Sequence, residues 1–167
     1  LKIKMRKISS KNLPLFSVII TTKNEEKNIK NCLESIKYQV YPQEKIEIIV
    51  VDNHSTDKTK TIARQYTSHI FDKGPERSAQ RNFGIKMSKG EFILYLDADM
   101  ILSPTVIKRA VEKIEVSNIP LVAFYIPEIV LGNYYWSQVR RFERSFYDGT
   151  VIDCARFIRK ELYSNLG

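Results

Sequence analysis

Two aspartates stand directly after an apolar run in the stretch EFILYLDADM at residues 91–100. In an extended chain, alternate side chains point to the same face, so Asp97 and Asp99 would share one side, with Ala98 turned toward the sheet. Two carboxylates on one side leave the other positions of a metal to water and phosphate oxygens. Mg²⁺ is usually held in this way, and Mn²⁺ suits the same oxygens. The spacing predicts a divalent-metal site, although an isolated pair of this type is more often a turn cap beside a solvated acid.

Two further acidic loops follow apolar runs, and they favour the metal over the turn cap. The stretch TTKNEE at 21–26 follows the run FSVIIT, and Asp52 follows the run IEIIVV. Carboxylates that face a crevice are costly unless a positive group joins them. A divalent metal that carries a phosphate is the natural candidate.

The apolar runs alternate with helical patterns along the chain. Continuous β-branched or aromatic runs predict buried strands, which lie at 16–21, 46–51, 69–72 and 91–96. Apolar stripes and capping residues predict the helices between them. The first helix begins near Glu25 with Asn24 as N-cap, and the second passes through Ile62, Ala63 and Tyr66. The third runs from Glu76 to Ser88, and the fourth begins at Ser103 and Pro104. This alternation predicts an α/β, Rossmann-like fold: a mostly parallel central sheet flanked by helices on both faces. Ligands bind such sheets at the carboxyl ends of the strands.

The composition is that of one domain with a basic surplus. The chain has 167 residues, a net charge of +8 and a pI of about 9.4, which favours anionic partners. No apolar run approaches the ~20 residues that span a bilayer, and no apolar segment of a signal peptide follows the basic start. Cys32 and Cys154 lack metal-ligand spacing, which predicts reduced thiols in a cytoplasmic protein, with contact to the inner face of the membrane left open.

Residues 133–148 form an amphipathic pattern rich in aromatic residues and arginines. Its apolar positions make one helical stripe, beside Arg140, Arg141 and Arg144: Tyr135, Trp136, Val139, Phe142 and Phe146. We expect the stripe to pack on the core and the arginines to be solvated. The alternative is an interfacial face that meets a lipid-linked acceptor or an anionic membrane.

Three stretches carry a family resemblance when they are taken in order: FSVIITTKNEEKNIKNCLESI, IEIIVVDNHSTDKT and SAQRNFGIKMSKGEFILYLDADM. Together they resemble the family-2 glycosyltransferases of the GT-A fold, over roughly residues 15–115 and more weakly beyond. The resemblance implies a nucleotide-diphosphate sugar as donor, with UDP favoured over GDP, and Mn²⁺ or Mg²⁺ as cofactor. It implies transfer to a carbohydrate or lipid-linked acceptor hydroxyl with inversion, as in cell-envelope polysaccharide synthesis.

The resemblance also assigns donor-binding residues outside the aspartate pair. Thr22 and Glu25 match the loop that lines the base and ribose, and Asp52 matches the acid that contacts the nucleoside. Arg81 matches the arginine of the R-N-x-G motif near the donor, and a guanidinium suits phosphate oxygens. The alternative for Arg81 is a solvated helix face shared with Arg77, and the two interpretations are about equal.

The aspartate pair and one departure complete the resemblance. Asp97 matches the acid near the ribose, and Asp99 matches the acid that ligates the metal; both are predicted metal-site residues. Many family members carry proline and tyrosine where this chain has Thr21 and Lys23, so an aromatic residue that could stack on the base is missing.

Three other classes of protein share single features with this sequence. Haloacid-dehalogenase-type phosphatases also use D-x-D, but there a Thr or Val usually stands four residues beyond the first aspartate, where this chain has Ile101. A nucleic-acid-binding module fits the charge but has no recognisable motif, so no nucleic acid is expected. Nucleotidyltransferases normally show a glycine-rich loop, and TTKNEE contains no glycine.

The resemblance leaves the catalytic base unassigned. In the family the catalytic base comes after a characteristic stretch of sequence. The residues DCARFIRKELYSNLG resemble the lead-in to that stretch, and none of the acids after Asp99 matches the motif of the base. We therefore expect a base beyond Gly167. The predicted organisation is a basic tail at 1–14 and a glycosyltransferase domain at 15–167, with a nucleotide-binding half at 15–115 and the start of an acceptor-side region at 116–167.

Overall fold

The computed structural model describes residues 12–117, 123–144 and 155–164, and its strands form one sheet. In chain order the strands are β1 (Phe16–Thr22), β2 (Ile46–Asp52), β3 (Ile70–Asp72), β4 (Phe92–Asp97), β5 (Ala123–Phe124) and β6 (Phe157–Arg159). The sheet order is β3-β2-β1-β4-β6-β5. The first four of these strands in the chain are parallel, and β6 runs antiparallel to both β4 and β5.

Helices connect and flank these strands. In chain order they are α1 (Ile29–Lys37), α2 (Thr59–Ala63), α3 (Arg77–Met87), α4 (Val106–Val116), α5 (Tyr135–Arg144) and α6 (Lys160–Ser164), with a 3-10 turn at Gln43–Lys45. The four strands and the helix at 76–88 that the sequence predicts are confirmed to within one or two residues. A short strand and helix predicted within 150–165 correspond to β6 and α6.

Strand β1 is buried on both faces, which explains its unbroken apolar run. Its Val18 and Ile20 belong to one core cluster, to which α1 contributes Ile29 and α4 contributes Ile107. Its Ile19 lies on the opposite face, in a second cluster that includes Ile85 of α3. The prediction of a mostly parallel sheet with helices on both faces is therefore confirmed.

Helix α3 lies unusually close to β1. A Cβ atom on Gly84 would come within 2.4 Å of Ile19 Cγ2, so only glycine allows this approach. The close contact brings the first turns of α3 over the carboxyl ends of β1 and β2.

Three helix boundaries differ from the predicted ones. Helix α1 begins at Ile29 rather than near Glu25, because Asn24 has a φ of 54° and Glu25 to Asn28 form a turn. Helix α4 begins two residues after the predicted Pro104, since the Pro104 carbonyl accepts a hydrogen bond from the Val40 amide. Helix α2 ends at Ala63, so that the predicted Tyr66 lies in the turn beyond it.

The thiol of Cys32 belongs to the core. Its side chain is fully buried on the apolar face of α1. Burial, reinforced by Asp99 and Asp97, raises its pKa to about 12, so the thiol stays protonated and unreactive at neutral pH. Cys154 lies outside the described residues.

The prediction that the aromatic stripe of α5 packs on the core is wrong for its described members. Tyr135 is 70% exposed, Trp136 74% and Phe142 68%. Residues of α1, α3 and α4 pack on the faces of the central strands, and α5 contributes no residue to either core cluster. Phe146 lies outside the described residues. Among the residues that the structure describes, no helix is long and apolar enough to cross a bilayer.

Aromatic rings join the antiparallel strand β6 to the parallel part of the sheet. Phe157 stacks on Phe92 with ring centroids 5.2 Å apart and on Phe124 at 4.2 Å, and it meets Phe16 at 5.6 Å. Its side chain is 1% exposed. This cluster fixes the segment that precedes β6 next to the end of β4.

Replacing Phe157 by alanine should therefore lower the free energy of unfolding by about 3–5 kcal/mol, because a buried ring is lost and a cavity remains. Chemical denaturation of the 167-residue chain measures this change. The matched control is Leu131→Ala at an exposed position, for which we expect a change within about 0.5 kcal/mol. A loss below about 1 kcal/mol for Phe157→Ala would contradict the packing of β6.

Candidate functional site

A cleft of about 320 Å³ opens at the carboxyl ends of β1 and β4. Chain order reverses here, because β1 has β2 on one side and β4 on the other. A parallel α/β sheet binds its ligands at such a switch point. The cleft is lined by the ends of both strands, the loop after β1, the start of α3 and Asn53 and Pro75.

Asp97 lies at the centre of a charged cluster. Thr21 donates a hydrogen bond from Oγ1 to Asp97 Oδ1 at 3.0 Å, and Arg81 donates to the same oxygen at 3.2 Å. Guanidinium nitrogens of Arg77 and Arg156 lie 3.7 and 3.6 Å from Asp97 Oδ2. Three segments of the chain thus place four positive or donor groups around one carboxylate that is 15% exposed.

This environment keeps Asp97 ionised. Desolvation by itself would raise the pKa of the carboxyl group. The hydrogen bond from Thr21 and the charges of Arg81, Arg156 and Arg77 outweigh it and lower the pKa below the ordinary value. Asp97 is therefore a fixed negative charge at neutral pH.

Asp99 has a different environment from Asp97. Strand β4 ends at Asp97, and the next two residues form a turn rather than the extended chain that the sequence predicts. Both carboxylates nevertheless line the same cleft, and Ala98 between them is 2% exposed. Asp99 is exposed, and its side chain has no hydrogen bond or ion pair among the described residues.

Asp99 is the carboxylate best suited to hold a metal. Its oxygens are free of protein partners in the described ranges, whereas both oxygens of Asp97 already meet Thr21 or arginines. The described residues contain no cluster of three or more carboxylate, histidine or cysteine side chains that could hold a metal alone. A metal here would need ligands from water or a bound phosphate, which is the usual coordination of Mg²⁺.

The loop after β1 and the loop after β2 are braced into one unit. The Asn24 amide donates to Ser55 Oγ at 2.7 Å, the Glu25 amide to Thr59 Oγ1 at 2.8 Å, and the Thr56 amide to Asn24 Oδ1 at 2.9 Å. These bonds hold the predicted ribose-side loop in place. They also explain why Asn24 serves the loop instead of capping α1.

The predicted donor residues of these loops differ in position. Thr22 and Glu25 line the cleft, and the Glu25 carboxylate accepts a hydrogen bond from Asn28. The Thr22 hydroxyl is buried and has no hydrogen-bond partner in the described part of the chain. Asp52 is fully buried, does not line the cleft, and accepts hydrogen bonds from the Ser55 amide and hydroxyl at 2.6 and 2.5 Å.

Arg81 does not lie on a solvated helix face. Its side chain is 25% exposed, pairs with Asp97, and lies over the Tyr95 ring at 5.0 Å. It therefore acts on the cleft through Asp97, whereas Arg77, one turn earlier on α3, lines the cleft itself and is 73% exposed.

Three site residues escaped the sequence analysis. Gln80 is buried and donates to the carbonyls of Thr22 and Val51, so it ties α3 to the ends of β1 and β2. Arg77 could have been found from its i−4 relation to Arg81. Arg156 reaches Asp97 from the segment before β6 and also pairs with Glu128, and no local pattern announces this contact.

Thr21 explains one departure from the family pattern. Its hydroxyl donates to Asp97, which a proline at the same position could not do. The residue therefore stabilises the charged form of the site's central acid.

Asp97→Asn should lower the unfolding free energy at pH 7 by about 1–3 kcal/mol, because arginines lose their carboxylate partner. The pKa of Asp97 is lower in the folded protein than the ~3.9 of an unfolded chain. Its stabilisation is thus complete above about pH 4 and is lost as pH falls through the folded-state pKa.

Denaturation of wild type and variant between pH 7 and pH 2 measures this difference, which should shrink below about pH 4. Asp99→Asn, which removes an exposed carboxylate of the same loop, is the control and should show little difference at any pH. A constant gap between wild type and Asp97→Asn would contradict the role of the ionised form.

Comparison with known proteins agrees with this geometry. The model of the family "Glycosyl transferase family 2" matches residues 17–166. The chain is 39% identical to Glycosyltransferase AglE of Haloferax volcanii over 117 residues, which cover 66% of this chain and 38% of AglE. It is 36% identical over 104 residues to the poly(ribitol-phosphate) beta-N-acetylglucosaminyltransferase TarS of Staphylococcus aureus, with 57% of this chain and 18% of TarS covered.

Solved structures resemble the whole described fold. The crystal structure of residues 1–349 of S. aureus TarS matches with a TM-score of 0.65 and 26% identity, over 90% of this chain and 48% of that one. The mannosyltransferase PcManGT of Pyrobaculum calidifontis, in complex with GDP-Man and Mn²⁺, matches with a TM-score of 0.68 over 92% of this chain and 47% of that one. At 23% identity the latter shows the fold alone.

The chain spans less than half the length of each of these relatives. The family match nevertheless extends from the first strand to the last described helix. This protein belongs to glycosyl transferase family 2 and has the GT-A fold.

Proposed function

We propose that this chain binds a nucleoside-diphosphate sugar together with Mn²⁺ or Mg²⁺, and that the complete protein transfers the sugar to an acceptor hydroxyl with inversion. The observation that carries the proposal is the pair of unlike carboxylates at the end of β4. Asp97 is enclosed by arginines, and Asp99 beside it has no protein partner among the described residues. The exposed carboxylate of Asp99 suits a cation, and the arginines around Asp97 suit an anion.

The positive charge around Asp97 supports a diphosphate ligand. Three guanidinium groups face a single carboxylate, and the most exposed of them, Arg77, lines the cleft. Arg81 holds the cluster together through its bond to Asp97. A planar guanidinium suits phosphate oxygens, so we assign Arg77 and Arg81 to the diphosphate side of the donor.

Asp99 is the proposed metal ligand, with Asp97 as the second predicted metal-site residue. When bound, the metal supplies Lewis-acid stabilisation of the diphosphate leaving group. Asp97 keeps its arginines aligned toward the same group. The exposed oxygens of Asp99 support this division, because hard oxygen ligands with few protein contacts suit Mg²⁺ and Mn²⁺.

The nucleoside is assigned to the braced loops after β1 and β2. Thr22 and Glu25 line the cleft and are proposed to contact the base and ribose. Asp52 is proposed to support the nucleoside site, and its bonds to Ser55 suggest that it does so by shaping the loop. TarS, whose structure in complex with UDP-GlcNAc matches at 27% identity, supports UDP as the nucleotide.

We propose a carbohydrate or lipid-linked acceptor, and TarS, named for transfer to poly(ribitol phosphate), is a relative of that type. We further propose that the complete protein supplies the catalytic base from outside these 167 residues. We also propose that the chain works in the cytoplasm, where a buried thiol such as Cys32 stays reduced. Family membership excludes the haloacid-dehalogenase alternative.

Asp99→Asn should remove most of the metal dependence of UDP binding while the fold stays intact. Calorimetric titration of the chain with UDP, with and without Mn²⁺, measures this directly. We expect the gain in affinity from Mn²⁺ to fall by about tenfold or more in the variant, by analogy with the loss caused by disturbing a metal site. Glu112→Gln, an exposed acid on α4, is the matched control. An equal Mn²⁺-dependent gain in Asp99→Asn would refute the assignment.

Arg77→Gln should weaken the binding of UDP by about tenfold or more and leave the binding of uridine unchanged. The physical reason is that a charge-assisted hydrogen bond to phosphate is worth about 1.5–3 kcal/mol. Lys86→Gln, an exposed cation near the other end of the same helix, controls for the loss of net charge. A parallel loss for UDP and uridine would show that Arg77 acts on the fold of the cleft and not on the diphosphate.

A further inference from the structure

An apolar surface that the donor site does not use lies on α5 and the segment before it. We call it the α5 patch and define it by its large exposed side chains: Ile129, Leu131, Tyr134, Tyr135, Trp136, Val139 and Phe142. Except for Val139, at 37%, each of these side chains is 68–84% exposed. A contiguous exposed surface of this composition marks an interaction site more often than a plain surface.

The helix that carries the patch is amphipathic. Tyr135, Val139 and Phe142 stand at i, i+4 and i+7 and form one stripe, with Trp136 at its edge. Arg140, four residues after Trp136, borders this stripe, and Arg141 lies further round the helix on its polar face. Such a division, with aromatic residues on one face and basic residues on the polar face, is the pattern of helices that lie in the membrane interface.

Other described residues cover little of the α5 patch. No described side chain of α5 is buried, and Ser137 is the only one of them that is even half-buried. A helix of 10 residues is marginal by itself in water, since most helical stability comes from packing of the apolar face. The Arg141 guanidinium donates to the Val130 carbonyl at 3.3 Å, so the segment before the helix is held beside it as part of the same surface.

We propose that the α5 patch docks on an anionic lipid surface. Tyrosine and tryptophan have an apolar ring and a polar edge, so they suit the boundary between headgroups and acyl chains. Arg140 pairs with Glu143 only at 3.9 Å and both are exposed, and such a surface pair is weak enough to yield to lipid phosphates. The chain's net charge of +8 adds attraction to the same surface.

Charge also argues against a second copy of this chain as the occupant. A symmetric dimer through the α5 patch would place the same surface on both sides of the interface. Arg140 and Arg141 would then lie close to their own copies, within a chain that is already strongly positive. An anionic bilayer offers apolar depth and negative charge together.

The single tryptophan of the chain provides the test, because Trp136 lies in the patch. Its fluorescence is recorded while the 167-residue chain is mixed with phosphatidylcholine vesicles, or with vesicles that also contain phosphatidylglycerol. We expect a blue shift and quenching by brominated lipid only with the anionic vesicles, and reversal at high salt because screening weakens the attraction. Equal shifts on both vesicles, or no shift on either, would overturn the proposal.

Variants separate the apolar and basic contributions while keeping Trp136 as reporter. Phe142→Ser with Leu131→Ser should lower partition onto anionic vesicles by about tenfold or more, given the apolar area removed. Arg140→Gln with Arg141→Gln should lower it by about tenfold or more, given the contribution of each basic residue near a charged surface. Val116→Ser, at an exposed apolar position outside the patch, is the control and should not change it. A blue shift that grows with protein concentration in the absence of vesicles would indicate self-association and overturn the lipid assignment.

Discussion

The ionised carboxylate of Asp97 is the constraint on which the rest of the site depends. A charge that is 15% exposed must be compensated, and its partners come from three separate parts of the chain. Thr21 lies near the end of β1, Arg77 and Arg81 lie on α3, and Arg156 precedes β6. The position of one carboxylate thus sets the mutual arrangement of two parallel strands, a helix and an antiparallel strand.

The neighbouring backbone contacts allow this convergence. Gly84 lets α3 approach β1, and Gln80 then donates to the carbonyls at the ends of β1 and β2. The loops after these strands hydrogen-bond to each other. The walls of the cleft are consequently held in place by contacts within the protein.

The local parts of this structure could be predicted from the sequence, and the long-range parts could not. Continuous apolar runs located β1, β2 and β4, since both faces of these strands are buried. The D-x-D spacing located two carboxylates of one cleft, although a turn and not an extended chain brings them together. Asn24 was misplaced as a cap because its side chain bonds to a loop far along the chain, which local propensity does not report. The contact between Arg156 and Asp97 is equally remote in the sequence. The periodicity of the α5 stripe indicates an amphipathic helix, but it does not show whether the apolar face is buried.

The insertion of β6 beside β4 has a consequence for how such proteins can be recombined. The four parallel strands precede residue 115, and β5 and β6 follow it. Arg156 crosses that boundary, because it belongs to the second part and yet faces Asp97 in the first, while its other side pairs with Glu128. A chimaera that took its second part from a relative without an arginine here would inherit a different charge beside Asp97. The two parts must therefore be exchanged, and must diverge, as a matched pair.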